Sequence, residues 1–188
     1  AVQSEGADRA MMVPTMLKQL LDNERFSEFD LSSMKVITYG AAPMPLEVIK
    51  RAMKNMPGTR FINAFGQTET ASTITMLAPD DHDIPDDLPE AEVERRMKRL
   101  TSIGKPLPDV EVRIVDEEAN EVPVGESGEI VARGDRLMKG YWGREEATRD
   151  TMRGGWLYTG DLGYFDEEGY IFLSGRAKDF IKRAGEMI

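Results

Sequence analysis

The chain has 188 residues, 24 Lys+Arg against 34 Asp+Glu for a formal net charge of −10, and no cysteine. That length suits one ordinary domain or two small subdomains sharing a core. The lack of cysteine excludes a disulfide framework, a thiolate metal site and a thiol nucleophile, and the acidic balance excludes a general electrostatic footprint for nucleic acid or anionic membrane. No apolar run approaches the ~18 residues of a membrane span, and residues 1–9 have neither the basic nor the apolar region of a signal peptide.

Residues 11–77 alternate helix and strand patterns. Met12, Met16, Leu17, Leu20 and Leu21 recur at helical spacing, with Pro14 in a first turn. Residues 34–39 form a short strand pattern closed by Gly40. Pro45 opens a second helix whose expected apolar face is Leu46, Ile49, Met53 and Met56, and Pro57-Gly58 stops it. Residues 60–65 read as another strand, closed by Gly66. Strand, helix, strand with short connections predicts a parallel α/β unit, in which ligands bind beyond the carboxyl ends of the strands. Residues 79–102 predict an exposed acidic loop and a charged helix. A metal centre around His82, the sole histidine, lacks the ligand spacing and glycine turn of a calcium loop, so a solvated insertion is expected there. From 103 to 175 the pattern is β. Val110, Val112 and Ile114 alternate, residues 129–132 form a second strand, and residues 164–165 and 170–173 flank a hairpin turn. A short helix is expected over 144–152. The fold class predicted is therefore α/β plus β: part of a parallel α/β nucleotide-binding subdomain (1–78), the acidic loop and charged helix (79–102), then a small distorted β-barrel subdomain (103–175).

Three segments carry candidate chemistry. The first is Tyr39-Gly40-Ala41-Ala42-Pro43, small residues that let a flat ligand approach the backbone. The second is Asn63-Ala64-Phe65-Gly66-Gln67-Thr68-Glu69-Thr70, which puts an aromatic face, a hydroxyl and a carboxylate within one turn. It reads equally as a helix N-terminus with Thr68 as the cap. The third is Trp156-Leu157-Tyr158-Thr159-Gly160-Asp161, where a carboxylate on a glycine turn can accept both hydroxyls of a ribose, or can simply serve a hairpin turn. Cations follow at Arg176, Lys178 and Lys182.

Together these segments resemble the core motifs of the adenylate-forming superfamily. The aromatic-Gly-x-Thr-Glu element at 65–69, the Tyr-Thr-Gly-Asp element at 158–161 and the Gly-Arg-x-Lys-Asp-x-Ile-Lys element at 175–182 occur in the family's order. Gly140-Tyr141-Trp142 is most similar to the acyl-CoA synthetase branch, of fatty-acid or aryl-acid type. The resemblance implies a ligase that makes an acyl-adenylate from a carboxylic acid and ATP with Mg2+, then passes the acyl group to coenzyme A. It implies nucleotide contacts from Gly40, Ala41, Ala42, Pro43, Asn63, Ala64, Phe65, Gly66, Gln67, Thr68, Asp161 and Arg176. It further implies Thr68 at the α-phosphate, Glu69 on magnesium, a hinge at Lys178 opening the segment 176–188, and Lys182 on the thiol side. Phe65 stands where many relatives carry Tyr, which keeps the stacking face and loses a hydroxyl.

The family's Ser/Thr/Gly-rich phosphate loop and its C-terminal catalytic lysine have no counterpart in these 188 residues. With no initiator methionine and a stop inside a motif, the chain reads as an internal piece expected to be inactive alone. A non-catalytic binding module of the same fold, and an adenylation domain loading a carrier-protein thiol, are the alternatives. A cytoplasmic location is the expectation the resemblance carries.

Overall fold

In the computed structural model, residues 2–85 and 87–177 are described in full, and residues 182–183 and 186–187 by backbone alone. The elements in chain order are α1 (Val2–Glu5), β1 (Arg9–Met12), α2 (Pro14–Asp22), β2 (Val36–Gly40), α3 (Leu46–Asn55), β3 (Arg60–Phe65), β4 (Thr75–Leu77), α4 (Glu90–Arg99), β5 (Lys105–Pro106), β6 (Glu111–Val115), β7 (Gly128–Arg133), α5 (Glu145–Thr151), β8 (Met152–Arg153), β9 (Trp156–Phe165), β10 (Ile171–Arg176), β11 (Lys182–Arg183) and β12 (Glu186–Met187). They fall into two compact units, one of residues 1–65 and 76–104, the other of 66–75 and 105–188.

In the first unit the strands run in the order β1-β2-β3-β4. β1 pairs with β2 in parallel, and β2 with β3 likewise, so that Tyr39 lies beside Asn63 and Gly40 beside Ala64. Parallel pairing requires crossover connections, which α2 and α3 supply. Leu17 and Leu21 of α2 are buried, as are Val48, Ile49 and Ala52 of α3. With Ile37, Tyr39 and Phe61 they form the core. The buried stripe of α3 differs from the predicted one: Val48 and Ala52 replace Leu46 and Met53, while Ile49 and Met56 hold their places. Met16, placed in the core by spacing, is half exposed.

The acidic segment holds a further difference. His82 is buried rather than solvated. Its Nδ1 lies 2.9 Å from the Ala78 carbonyl, which can only accept, so Nδ1 carries the proton. Its Nε2 therefore accepts the Tyr39 hydroxyl at 2.8 Å. Burial pushes the imidazole below its ordinary value of 6.5, against the opposing Ala78 bond and the nearby Asp81 charge, and burial pushes the Tyr39 phenol up. With the native group depressed, the unfolded chain binds the proton first. The stability that neutral His82 supports is present above pH 6.5 and is lost as pH falls below it. The expected slope is at most about 1.4 kcal/mol per pH unit. Urea midpoints at pH 7.5 and pH 5.5 should separate for the wild type and converge for His82→Gln. Equal separation in both proteins would exclude this linkage.

In the second unit an antiparallel sheet runs β10-β9-β7-β6, with β8 on β9. Ile114, Ile130, Leu157 and Ile171 are fully buried in it. The predicted hairpin is present, with Phe165 opposite Ile171 and a tight turn over 166–170. The expected barrel is not: among the described strands the path is open, ending at β6 and β10. The guanidiniums of Arg113 and Arg133 each lie over the Trp156 ring, 4.7 and 4.6 Å from its centroid, and Glu111 binds both arginines.

Candidate functional site

The predicted site residues divide between the units. In the first, Gly40 ends β2 and residues 41–43 follow it, while Asn63, Ala64 and Phe65 close β3. The register sets the two groups side by side. Gly40 is required there: a Cβ would stand 2.2 Å from the Ala64 carbonyl oxygen. Ala41 takes φ 64°, a left-handed conformation that costs a non-glycine residue roughly 1–2 kcal/mol. Ala41, Ala42 and Pro43 are exposed. Such strain is often found at functional sites. Asn63 is buried, and its amide donates to the Ser102 carbonyl at 3.0 Å. Its side chain is thus held by the fold, and Phe65 is half-buried.

In the second unit the chain turns sharply at Gly66. A 3-10 turn spans Thr68–Thr70, with Gln67 as its N-cap residue. The capping hydroxyl is Thr70, which accepts the Gln67 N–H at 2.8 Å, so the predicted capping role of Thr68 is corrected. Thr70 is fully buried, while Thr68 is exposed and Glu69 half-buried. Gly66 permits the turn, because a Cβ would lie 1.6 Å from the Ser72 carbonyl oxygen.

Asp161 lies within the ten-residue strand β9, not in a hairpin turn. The register explains how it is aimed. Tyr158 pairs with Val131 and Leu162 with Glu129, so Thr159, Gly160 and Asp161 stand opposite Ile130 alone. This bulge redirects a side chain, as bulges beside sites commonly do. It is pinned by the Thr159 hydroxyl donating to the Ile130 carbonyl at 2.7 Å, and by the Gly160 N–H donating to the Glu129 carboxylate at 2.9 Å. Gly160 has φ 74°. The Asp161 carboxylate accepts Gln67 Nε2 on one oxygen at 2.9 Å and Arg176 Nε on the other at 2.8 Å. The Asp161 side chain is 8% exposed and that of Arg176 65% exposed. Gln67 also donates to the Thr159 carbonyl at 2.8 Å. Gln67, Asp161 and Arg176, far apart in sequence, thus share one cluster. A carboxylate has about four lone-pair sites, so both oxygens retain capacity for further donors such as sugar hydroxyls.

Glu69 accepts the Tyr141 hydroxyl at 2.8 Å. That bond, more than desolvation, raises the phenol's pKa. In the sequence Tyr141 is only a branch marker; its contact with Glu69 spans 72 residues and has no local signature. Among the described residues no group of three or more His, Asp or Glu side chains could hold a metal. The donors Thr68 and Glu69 therefore fit a magnesium ion held by one carboxylate together with phosphate oxygens, and do not fit a protein cage. Lys178, and the side chain of Lys182, lie outside the described residues.

Among the described residues, no helix is long and apolar enough to cross a membrane. Residues 1–142 match the family model of the AMP-binding enzymes. The feruloyl-CoA synthase of Amycolatopsis sp is 35% identical over 188 residues, 100% of this chain and 35% of that protein. The amide bond synthetase McbA of Marinactinospora thermotolerans superposes with a TM-score of 0.85 at 34% identity, covering 100% of this chain and 35% of that one. The O-succinylbenzoate coenzyme A synthetase (MenE) of Bacillus subtilis, in complex with ATP and magnesium, superposes with a TM-score of 0.79 at 32% identity, covering 100% and 35%. The chain spans about a third of the length of these relatives. The family model covers residues 1–142 of the 188, and the chain belongs to the AMP-binding enzyme family.

Proposed function

We propose that this chain is the central segment of an acid–CoA ligase, the parent, which forms an acyl-adenylate from a carboxylic acid and ATP and transfers the acyl group to coenzyme A. The observation that carries the reading is Asp161: a carboxylate buried on a strand bulge, with both oxygens hydrogen-bonded and able to accept more. Asp161 accepts the ribose hydroxyls, with Arg176 beside it. Residues 40–43 and 63–65 border the adenine and the acyl group, Phe65 offers its ring for stacking, and Gly66 gives the turn its approach to the nucleotide. Thr68 donates to the α-phosphate. Glu69 helps hold magnesium, which neutralises charge on the phosphates when bound. The remaining work is positioning and electrostatic stabilisation of the phosphoryl-type transition state; Lys178 is the hinge between the two half-reactions, and Lys182 serves the thiol side of the later one. The acid is of aryl or fatty type, in keeping with the feruloyl-CoA synthase relative.

An amine acceptor is the second reading, because an amide bond synthetase superposes over the whole chain. Both readings share the adenylate. The test is pyrophosphate exchange by the parent with aromatic, medium-chain and long-chain acids, followed by capture with coenzyme A or an amine. Glu69→Gln is expected to slow exchange and to raise the magnesium concentration needed by about tenfold or more, the usual effect of losing a charged contact. A Glu69→Gln enzyme with ordinary magnesium dependence would remove Glu69 from the metal site. Exchange with no carboxylic acid in the panel would remove the ligase reading.

A further inference from the structure

Resting on the reading of Glu69 as the magnesium carboxylate, we propose that Tyr141 is a positioning residue for that carboxylate: its phenol fixes one oxygen of Glu69 and leaves the other directed to the metal. Four hydrogen bonds within one unit support it. The Tyr141 hydroxyl donates to Glu69 Oε1 at 2.8 Å. The Met138 N–H donates to the Glu69 carbonyl at 2.8 Å, so the segment before Tyr141 is tied to the backbone of the same residue. Tyr141 is itself held from behind, because its N–H donates at 2.9 Å to the Thr148 hydroxyl on α5, which in turn donates to the Arg144 carbonyl at 2.8 Å.

Gly140 belongs to this brace. Its φ is 150°, and a Cβ there would lie 2.7 Å from the Thr148 methyl group. The Gly-Tyr-Trp sequence therefore acts by geometry: glycine lets the segment close on α5, and tyrosine faces Glu69. Trp142 projects fully into solvent. A half-buried glutamate on a three-residue 3-10 turn has three side-chain torsions to restrain, and a charge-assisted bond from a fixed phenol restrains the last of them. Partners that orient metal-binding carboxylates are commonly worth 10–100-fold in metal affinity.

The experiment is a double-mutant cycle on the parent, with Tyr141→Phe, Glu69→Gln and the pair. The readout is electron paramagnetic resonance of Mn2+ bound together with α,β-methylene ATP, and thermal midpoints serve as the fold control. Tyr141→Phe is expected to weaken Mn2+ binding about tenfold with its midpoint nearly unchanged. In the Glu69→Gln background the same substitution should add almost nothing, because the group it positions is gone. Wild-type Mn2+ binding by Tyr141→Phe would overturn the proposal, and so would an equal tenfold loss in both backgrounds, which marks a purely structural tyrosine. If Glu69→Gln alone leaves Mn2+ binding intact, the metal role of Glu69 fails instead, which separates the two claims.

Discussion

Asp161→Ala is expected to weaken nucleotide binding by the parent at least tenfold while leaving the protein folded. Each hydrogen bond to a charged group contributes roughly 1.5–3 kcal/mol, and 1.4 kcal/mol is a factor of ten. The carboxylate is 8% exposed, so its bonds form in a medium that screens them little. The fold tolerates the change because neither former partner is stranded. Arg176 is 65% exposed and returns to water, and Gln67 keeps its bond to the Thr159 carbonyl. A thermal midpoint lower by no more than about 2 °C is expected in the longer parent, for a stability loss of about 1 kcal/mol. Asp161→Asn should keep the shape and Arg176's acceptor but lose the charge, and should bind with intermediate affinity. Calorimetry with AMP measures all three proteins. Equal affinities for wild type and Asp161→Ala would take the ribose contact away from this residue.

Gly66→Ala is expected to be the most damaging single methyl in the molecule's candidate site. The added Cβ would meet the Ser72 carbonyl oxygen at 1.6 Å, the Ser72 carbonyl carbon at 2.6 Å and Thr70 Oγ1 at 2.9 Å. Backbone must move to admit it. The surrounding turn has little room to do so, because the Ser72 N–H already donates to the Gln67 carbonyl and Ala71 and Ser72 both hold left-handed conformations at φ 48° and 88°. The expected cost is about 3 kcal/mol, the upper range for overpacking. That corresponds to a thermal midpoint lower by roughly 6–12 °C in a chain of this size. Displacing the turn also carries Gln67 away from Asp161 and Glu69 away from Tyr141, so nucleotide affinity should fall together with stability. A Gly66→Ala protein with an unchanged midpoint would show that the turn relaxes freely, contrary to this packing.

What the sequence made legible was local. Gly40 and Gly66 mark the ends of two parallel strands because close backbone approach there leaves no space for a side chain. The hairpin over 165–171 was readable from its Asp and Gly turn residues. Helix faces were less readable. In α3, Val48 and Ala52 are buried where Leu46 and Met53 were expected, since neighbouring apolar positions satisfy the same period and only tertiary packing selects between them. His82 sat in an acidic run that reads as solvated, and its burial depends on Tyr39, 43 residues away. The site followed the same division. The motif around Asp161 was visible, but its place on a strand bulge was not, because the bulge arises from the register of β9 against β7. The bonds from Gln67 and Arg176 to Asp161 close over 94 and 15 residues. The Tyr141 contact with Glu69 closes over 72. Motifs name the reactive groups; the long-range pairs that orient them come from the fold.

The most direct measurement is calorimetric titration of the parent with non-hydrolysable acyl-adenylate analogues carrying aromatic, medium-chain and long-chain acyl groups, with Asp161→Ala alongside. Binding that discriminates among the acyl groups and falls at least tenfold in Asp161→Ala is the expected result. Acyl-independent binding, or binding untouched by the loss of Asp161, would contradict an adenylate site built on this carboxylate.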